Sequence, residues 1–131
     1  MTGATPPDVL VVDVANVVGS RPDGWWRDRV GATQRLLGRL AAADLGPVVA
    51  VVEGRARAVS DVPGLHLVRA PGSGDDEVVE QAVRLVAGRS GDGPGCTVVT
   101  ADRGLRARLP DGVTVVGPGH LLDRLPPAPP A

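Results

Sequence analysis

Apolar positions gather in five short runs rich in β-branched valine: Val9 to Val14, Val48 to Val52, Leu65 to Val68, Thr97 to Thr100 and Val113 to Val116. Four are near-continuous, the pattern of strands buried on both faces of a parallel sheet. The third, Leu65-His66-Leu67-Val68-Arg69, alternates apolar and polar positions and reads as an edge strand. Between the runs the period changes to that of a helix. After the turn signal Pro22-Asp23-Gly24, residues Trp26, Val30, Leu37 and Leu40 recur near helical spacing until Gly46-Pro47 stops them. A second helix is predicted from Asp76 to Gly88, with Val79, Ala82, Val83 and Val86 as its buried stripe. Shorter helices are predicted at Arg103 to Leu109 and Gly119 to Arg124, while Glu53 to Val62 is too short and polar to assign. Alternating strands and helices predict an α/β fold: three layers, α/β/α, around a five-stranded, mostly parallel sheet.

The chain of 131 residues suits one domain, drawn here as residues 8–125 between a flexible N-terminal segment 1–7 and a disordered Pro-rich tail 126–131. All 14 positive charges are Arg, and the missing lysine excludes mechanisms that need its amine, such as Walker A loops and Schiff bases. Cys96 is the lone cysteine and cannot form an internal disulfide, which fits a reducing cytoplasm. No apolar run approaches the roughly 20 residues that span a bilayer, so no membrane partner is expected. With a net charge of −1 and a pI near 6.1, any attraction for a polyanion must come from local clustering.

In open parallel sheets, ligands gather outside the carboxyl ends of the strands. The first strand carries Asp13 inside an apolar run and continues into Ala15-Asn16. The fourth delivers Asp102 just past its end, and Ala70-Pro-Gly-Ser-Gly-Asp-Asp-Glu77 brings Asp75, Asp76 and Glu77 to a helix start. Like charges so close disfavour joint ionisation, so a cation is the natural companion. Mg²⁺ or Mn²⁺ takes carboxylate oxygens, keeps water, and binds phosphate at its open positions. Such an ion site supports hydrolysis of phosphate esters.

Asp13-x-x-Asn16 after the first strand, Gly-Asp75-Asp76-x-Val-Val opening a helix, and Thr100-Ala-Asp102-Arg after a later strand resemble the NYN and PIN-like ribonuclease superfamily. The similarity spans roughly residues 8–120. It implies sheet order 3-2-1-4-5 and an RNA endonuclease using Mg²⁺ or Mn²⁺. It further implies that Asp13 and Asp102 hold metal, that Asn16 positions Asp13 or the substrate, and that Asp76, with Asp75 beside it, completes the catalytic acids. Arg103 and Gly104 follow Asp102 where the family often has a further acid.

Each residue also has a plainer reading. Asp75, Asp76 and Glu77 suit a helix N-terminus, with Ser73 as cap; Asp102 could cap the helix that follows it. Asp13 is harder to explain without a partner, because burying a carboxylate is expensive. Arg21, Arg27, Arg55, Arg57, Arg69, Arg103 and Arg106 all follow strands on the acidic side, an arrangement suited to gripping RNA phosphates although each alone suits a solvated surface. Trp26 fits the helical stripe, which leaves Trp25 as the exposed ring for base stacking. His66 is expected on an edge strand, His120 near the last helix, and Cys96 as a packed hydrophobe. A metal-dependent ribonuclease thus stands beside an RNA-binding or regulatory module that lacks metal competence, with a homodimer or a protein partner open in either case. A phosphotransfer fold with an aspartyl nucleophile is disfavoured, since its receiver and dehalogenase versions need the absent lysine.

Overall fold

The computed structural model describes residues 8–89 and 95–127. Its elements are β1 (Val9–Asp13), α1 (Val14–Gly19), α2 (Arg29–Ala42), β2 (Val48–Val52), β3 (His66–Arg69), α3 (Gly74–Ala87), β4 (Cys96–Val99), α4 (Arg103–Arg108), β5 (Val113–Val116) and α5 (Pro118–Leu122). Short 3₁₀ turns lie at Trp25–Arg27 and Gly54–Ala58. The strands form one sheet in the order β3-β2-β1-β4-β5, and every pairing is parallel. The alternating strand, β3, stands at one edge, as its pattern predicts.

Strand parity divides the core. Leu10, Val12, Ala50, Val52 and Val99 pack with Leu36, Leu37 and Leu40 of α2 and Leu121 of α5. Val11, Val51 and Val98 face the other way, onto Val78 and Ala82 of α3 and Leu105 of α4. Because side chains alternate across a strand, the next residues in the second set are Asp13, Glu53 and Thr100. Three polar side chains therefore arrive on the α3 side of the sheet at the carboxyl ends of its three central strands.

The structure corrects several sequence expectations. Helix α1 was not foreseen, because Val14-Ala-Asn-Val-Val reads as more strand; it begins directly after β1 and buries Val14 and Val17. Helix α2 starts only at Arg29, where the Asp28 carboxylate caps it by accepting from the Gly31 N–H at 2.9 Å. Trp26 lies ahead of that cap, off the helical stripe, and is 56% exposed rather than core. Trp25 is the half-buried ring. Helix α3 starts two residues early, capped by Ser73, whose hydroxyl accepts from the Asp76 N–H at 3.1 Å. Its buried stripe is Gly74, Val78 and Ala82, four residues apart, while Val83 is turned to solvent and Val79 and Val86 are half-buried.

Cys96 is buried in β4, and that burial pushes its thiol up to about 11, so it is a protonated packing group. His66 and His120 are both exposed. Pro126, where the tail was drawn to begin, is tied to α2: the Arg39 Nε donates to its carbonyl at 2.8 Å. Residues 1–7 and 128–131, the rest of the expected flexible ends, lie outside the described residues. Among the described residues no helix is long and apolar enough to cross a membrane.

Arg69, expected at a phosphate, braces the chain between β2 and β3. Its Nε donates to the Arg57 carbonyl (2.9 Å), Nη2 to the Val59 carbonyl (2.7 Å) and Nη1 to the Asp61 carboxylate (2.9 Å). Arg57 is similarly turned inward, donating to the carbonyls of Gly54 (3.2 Å) and Ala70 (3.3 Å). The Asp61 pair is solvent-exposed and adds little, so the two carbonyl bonds dominate. Arg69→Met is expected to cost about 1–2 kcal/mol in urea unfolding; an unchanged midpoint would show that the brace contributes nothing.

Candidate functional site

The site starts from the parity rule. Asp13 closes β1 and is only 3% exposed. Beside it, at the end of β4, the buried Thr100 hydroxyl donates to Asp13 Oδ2 at 3.0 Å and accepts from the Asp102 N–H at 3.1 Å. One hydroxyl thus links the buried carboxylate to the backbone that carries the next acid. Asn16, on α1, fixes the same loop from the other side: its Oδ1 accepts from the Ala101 N–H at 2.8 Å. The Asn16 side chain thus holds the β4 exit loop, while its backbone N–H favours the ionised Asp13 carboxylate.

Glu53 forms the opposite wall. Its Oε2 accepts from the Gly74 N–H, the first of α3, at 3.0 Å. A side chain at position 74 would collide with this carboxylate, since an added Cβ would lie 2.8 Å from Glu53 Oε1. Glycine lets the carboxylate approach this closely; a Cβ there would make the end of the Glu53 side chain shift. Sequence reasoning passed over Glu53, yet it stands one residue past β2, and counting parity from Val51 would have found it.

Electrostatics ties these groups together. Burial pushes the Asp13 carboxyl up to about 6; the Thr100 hydrogen bond opposes this, and the charges of Asp75 and Glu53 add to it. Asp75 is also raised, first by desolvation and then by Asp102 and Glu53. Asp75 is therefore the member of the α3 pair that faces the other acids. Asp76, favoured from the motif, turns outward: its Oδ1 accepts from Arg108 Nη2 at 2.7 Å, and this contact holds its carboxyl below the usual range. Asp102 does cap α4, accepting from the Leu105 N–H at 3.0 Å through Oδ1. Capping and membership of the acidic group coexist in one side chain.

Among the described residues no three His, Cys, Asp or Glu side chains are gathered tightly enough to form a preformed metal cage. The donors at hand are carboxylate oxygens, each of which bonds through only part of its acceptor capacity. That set suits a hard ion held by one or two carboxylates, waters and substrate phosphate.

The arginines divide. Arg57 and Arg69 are consumed by the fold, as described above. Arg21, Arg27, Arg55, Arg103 and Arg106 are exposed and make no side-chain hydrogen bond or ion pair among the described residues. Arg29, which sequence reasoning did not single out, lies over the Trp25 ring, 5.1 Å from its centre, and Trp26 meets Trp25 edge-on at 5.9 Å.

The fold class is a three-layer α/β/α domain around a parallel 3-2-1-4-5 sheet with acids at its carboxyl edge. The chain is similar to the crystal structure of Rae1 (YacP) from Bacillus subtilis, solved as a W164L mutant. The TM-score is 0.66 at 18% identity, over 88% of this chain and 73% of that one. At such identity the likeness speaks for the fold alone. No family model and no curated protein matches the sequence.

A carboxyl raised in the folded state stabilises the protein fully only below its unfolded pKa, and that contribution is lost as pH rises through the folded value. For Asp13 the window runs from about 4 to about 6. In metal-free protein Asp13→Asn should therefore raise stability at pH 8 by up to about 2–3 kcal/mol, with no gain at pH 4. Urea unfolding at both pH values checks this; an equal effect at the two would refute the ionisation account.

Proposed function

We propose that this protein is a metal-dependent endoribonuclease that hydrolyses RNA phosphodiester bonds at the carboxyl edge of its sheet. The observation that carries the reading is Asp13: a carboxylate only 3% exposed, held by Thr100 and raised by its own burial and by Asp75 and Glu53. Such a cluster is costly when ionised unless a cation compensates it. Asp13 and Asp75, with Asp102 beside them, are the residues that would hold Mg²⁺ or Mn²⁺. When bound, the ion supplies positive charge at the phosphodiester and lowers the pKa of a water.

The chain's own side chains do the rest. Thr100 fixes the Asp13 carboxylate, while Asn16 and Thr100 together hold the backbone that presents Asp102. Exposed Arg21, Arg27, Arg55, Arg103 and Arg106 offer guanidinium groups to phosphates on either side of the scissile bond. Their always-charged heads offset the repulsion an RNA strand would meet at an acidic centre. A second reading, a non-catalytic RNA-binding module, draws on the lack of a preformed three-ligand cage among the described residues.

Cleavage of a fluorescent single-stranded RNA in millimolar Mg²⁺ or Mn²⁺ decides between them. Activity abolished by EDTA and reduced about 100-fold or more in Asp13→Asn and Asp75→Asn is expected, a loss of roughly 3 kcal/mol in transition-state stabilisation. Asp76→Asn should change the rate less than about 3-fold, since its carboxylate serves Arg108. RNA binding with no cleavage, and no rise in melting temperature on adding metal, would leave the binding-module reading.

A further inference from the structure

Next to the acids lies a cavity of about 260 Å³ that the proposed chemistry does not use. Ala15, Trp25, Arg29, Thr33, Glu53 and Ala56 line it. Ala15 stands two residues after Asp13, and Glu53 is bonded to the residue preceding Asp75, so the pocket and the acidic cluster share a wall. The remaining walls are chemically unlike that centre. Trp25 is half-buried with the Arg29 guanidinium over its ring, which gives a flat aromatic and cationic surface. Glu53, Thr33 and the methyl groups of Ala15 and Ala56 are also part of the cavity's lining.

We propose that this cavity receives one unstacked base of a single-stranded RNA and prefers guanine. Single-stranded RNA is read by stacking splayed bases on aromatic rings or guanidinium planes and by hydrogen bonds to their Watson–Crick edges. The Trp25–Arg29 pair supplies the stacking surface, and Arg29 adds attraction for the adjoining phosphate. Glu53 supplies the edge reader. A carboxylate has about four acceptor sites, and the Gly74 N–H occupies one of them, on Oε2. Guanine presents two adjacent donors, N1–H and N2–H₂, which match a carboxylate in a charge-assisted pair. Uracil presents one N–H between two carbonyl oxygens, and these are repelled by the same group.

The inference rests on RNA being the substrate, so it is tested apart from cleavage. Trp26→Phe leaves Trp25 as the single indole of the chain, and its emission is followed in EDTA while six-nucleotide RNAs differing at one central base are added. Saturable quenching is expected, about ten-fold tighter for guanine than for uracil. Arg29→Ala should weaken binding about ten-fold, and Glu53→Gln should level the preference among bases while still accepting the Gly74 N–H. Equal affinity for the four bases, or binding seen by anisotropy with no change in Trp25 emission, overturns the pocket. Quenching with guanine preference but no cleavage in Mn²⁺ would remove the nuclease and keep the pocket. Cleavage by Arg29→Ala with unchanged KM would do the reverse.

Discussion

The hydrogen bond from Thr100 to Asp13 joins β1 and β4, two of the three central strands, at the point where both stop being sheet. It is possible only because β1 and β4 pair in a register that brings Val12 beside Val99, so that the next residue on each strand meets its counterpart. Parallel pairing and strand parity together decide that Asp13 and Thr100 share a face, and that the face is the one covered by α3. The hydroxyl then fixes the backbone of Asp102 by accepting its N–H. Removing that hydroxyl would leave a buried carboxylate without its side-chain donor and the Asp102 N–H without its acceptor. Other features of the acidic edge are arranged around this bond.

The electrostatic character of the edge follows from packing. Valine and leucine on both sides of the sheet exclude water from Asp13, and desolvation is the largest contribution to its shift. The charges of Asp75 and Glu53 then add to the shift of Asp13, and those of Asp102 and Glu53 to the shift of Asp75. Around this centre the guanidinium groups fall into two populations. Those with carbonyl or carboxylate partners hold loops and helix ends together, whereas the free ones stand in solvent. A net charge near zero conceals the gathering of acids at one sheet edge, since charges of both signs share the exposed surface.

The strands were legible because four of them are continuous valine-rich runs, and the edge position of β3 because it alternates. Asp13 was legible as a charged residue inside an apolar run. Other features required information that a linear pattern lacks. Helix α1 is hidden because its first residue follows the strand with no intervening turn and its apolar residues extend the strand's own run. The tryptophans were exchanged because Asp28, a capping residue, was passed over, and the helix was started too early. Asp76 was preferred over Asp75 on motif spacing, while the helix actually turns Asp76 toward Arg108 on α4, a contact between residues 32 apart in sequence. Glu53 and Arg29 each lacked a motif. Their roles come from what the fold places opposite them, a helix N-terminus in one case and an indole ring in the other.

The direct passage from β1 into α1 has a mechanical consequence. Asp13 is both the last residue of a central strand and the residue before a helix, so no linker lets it move independently of the sheet. Glu53 is followed instead by Gly54, with φ at +56°, and Gly74 is preceded by the Pro71-Gly72-Ser73 segment. The acidic edge thus has one jaw built into the core and another carried on turns. The first jaw is thereby a fixed reference for any occupant of the edge, set by the strand itself.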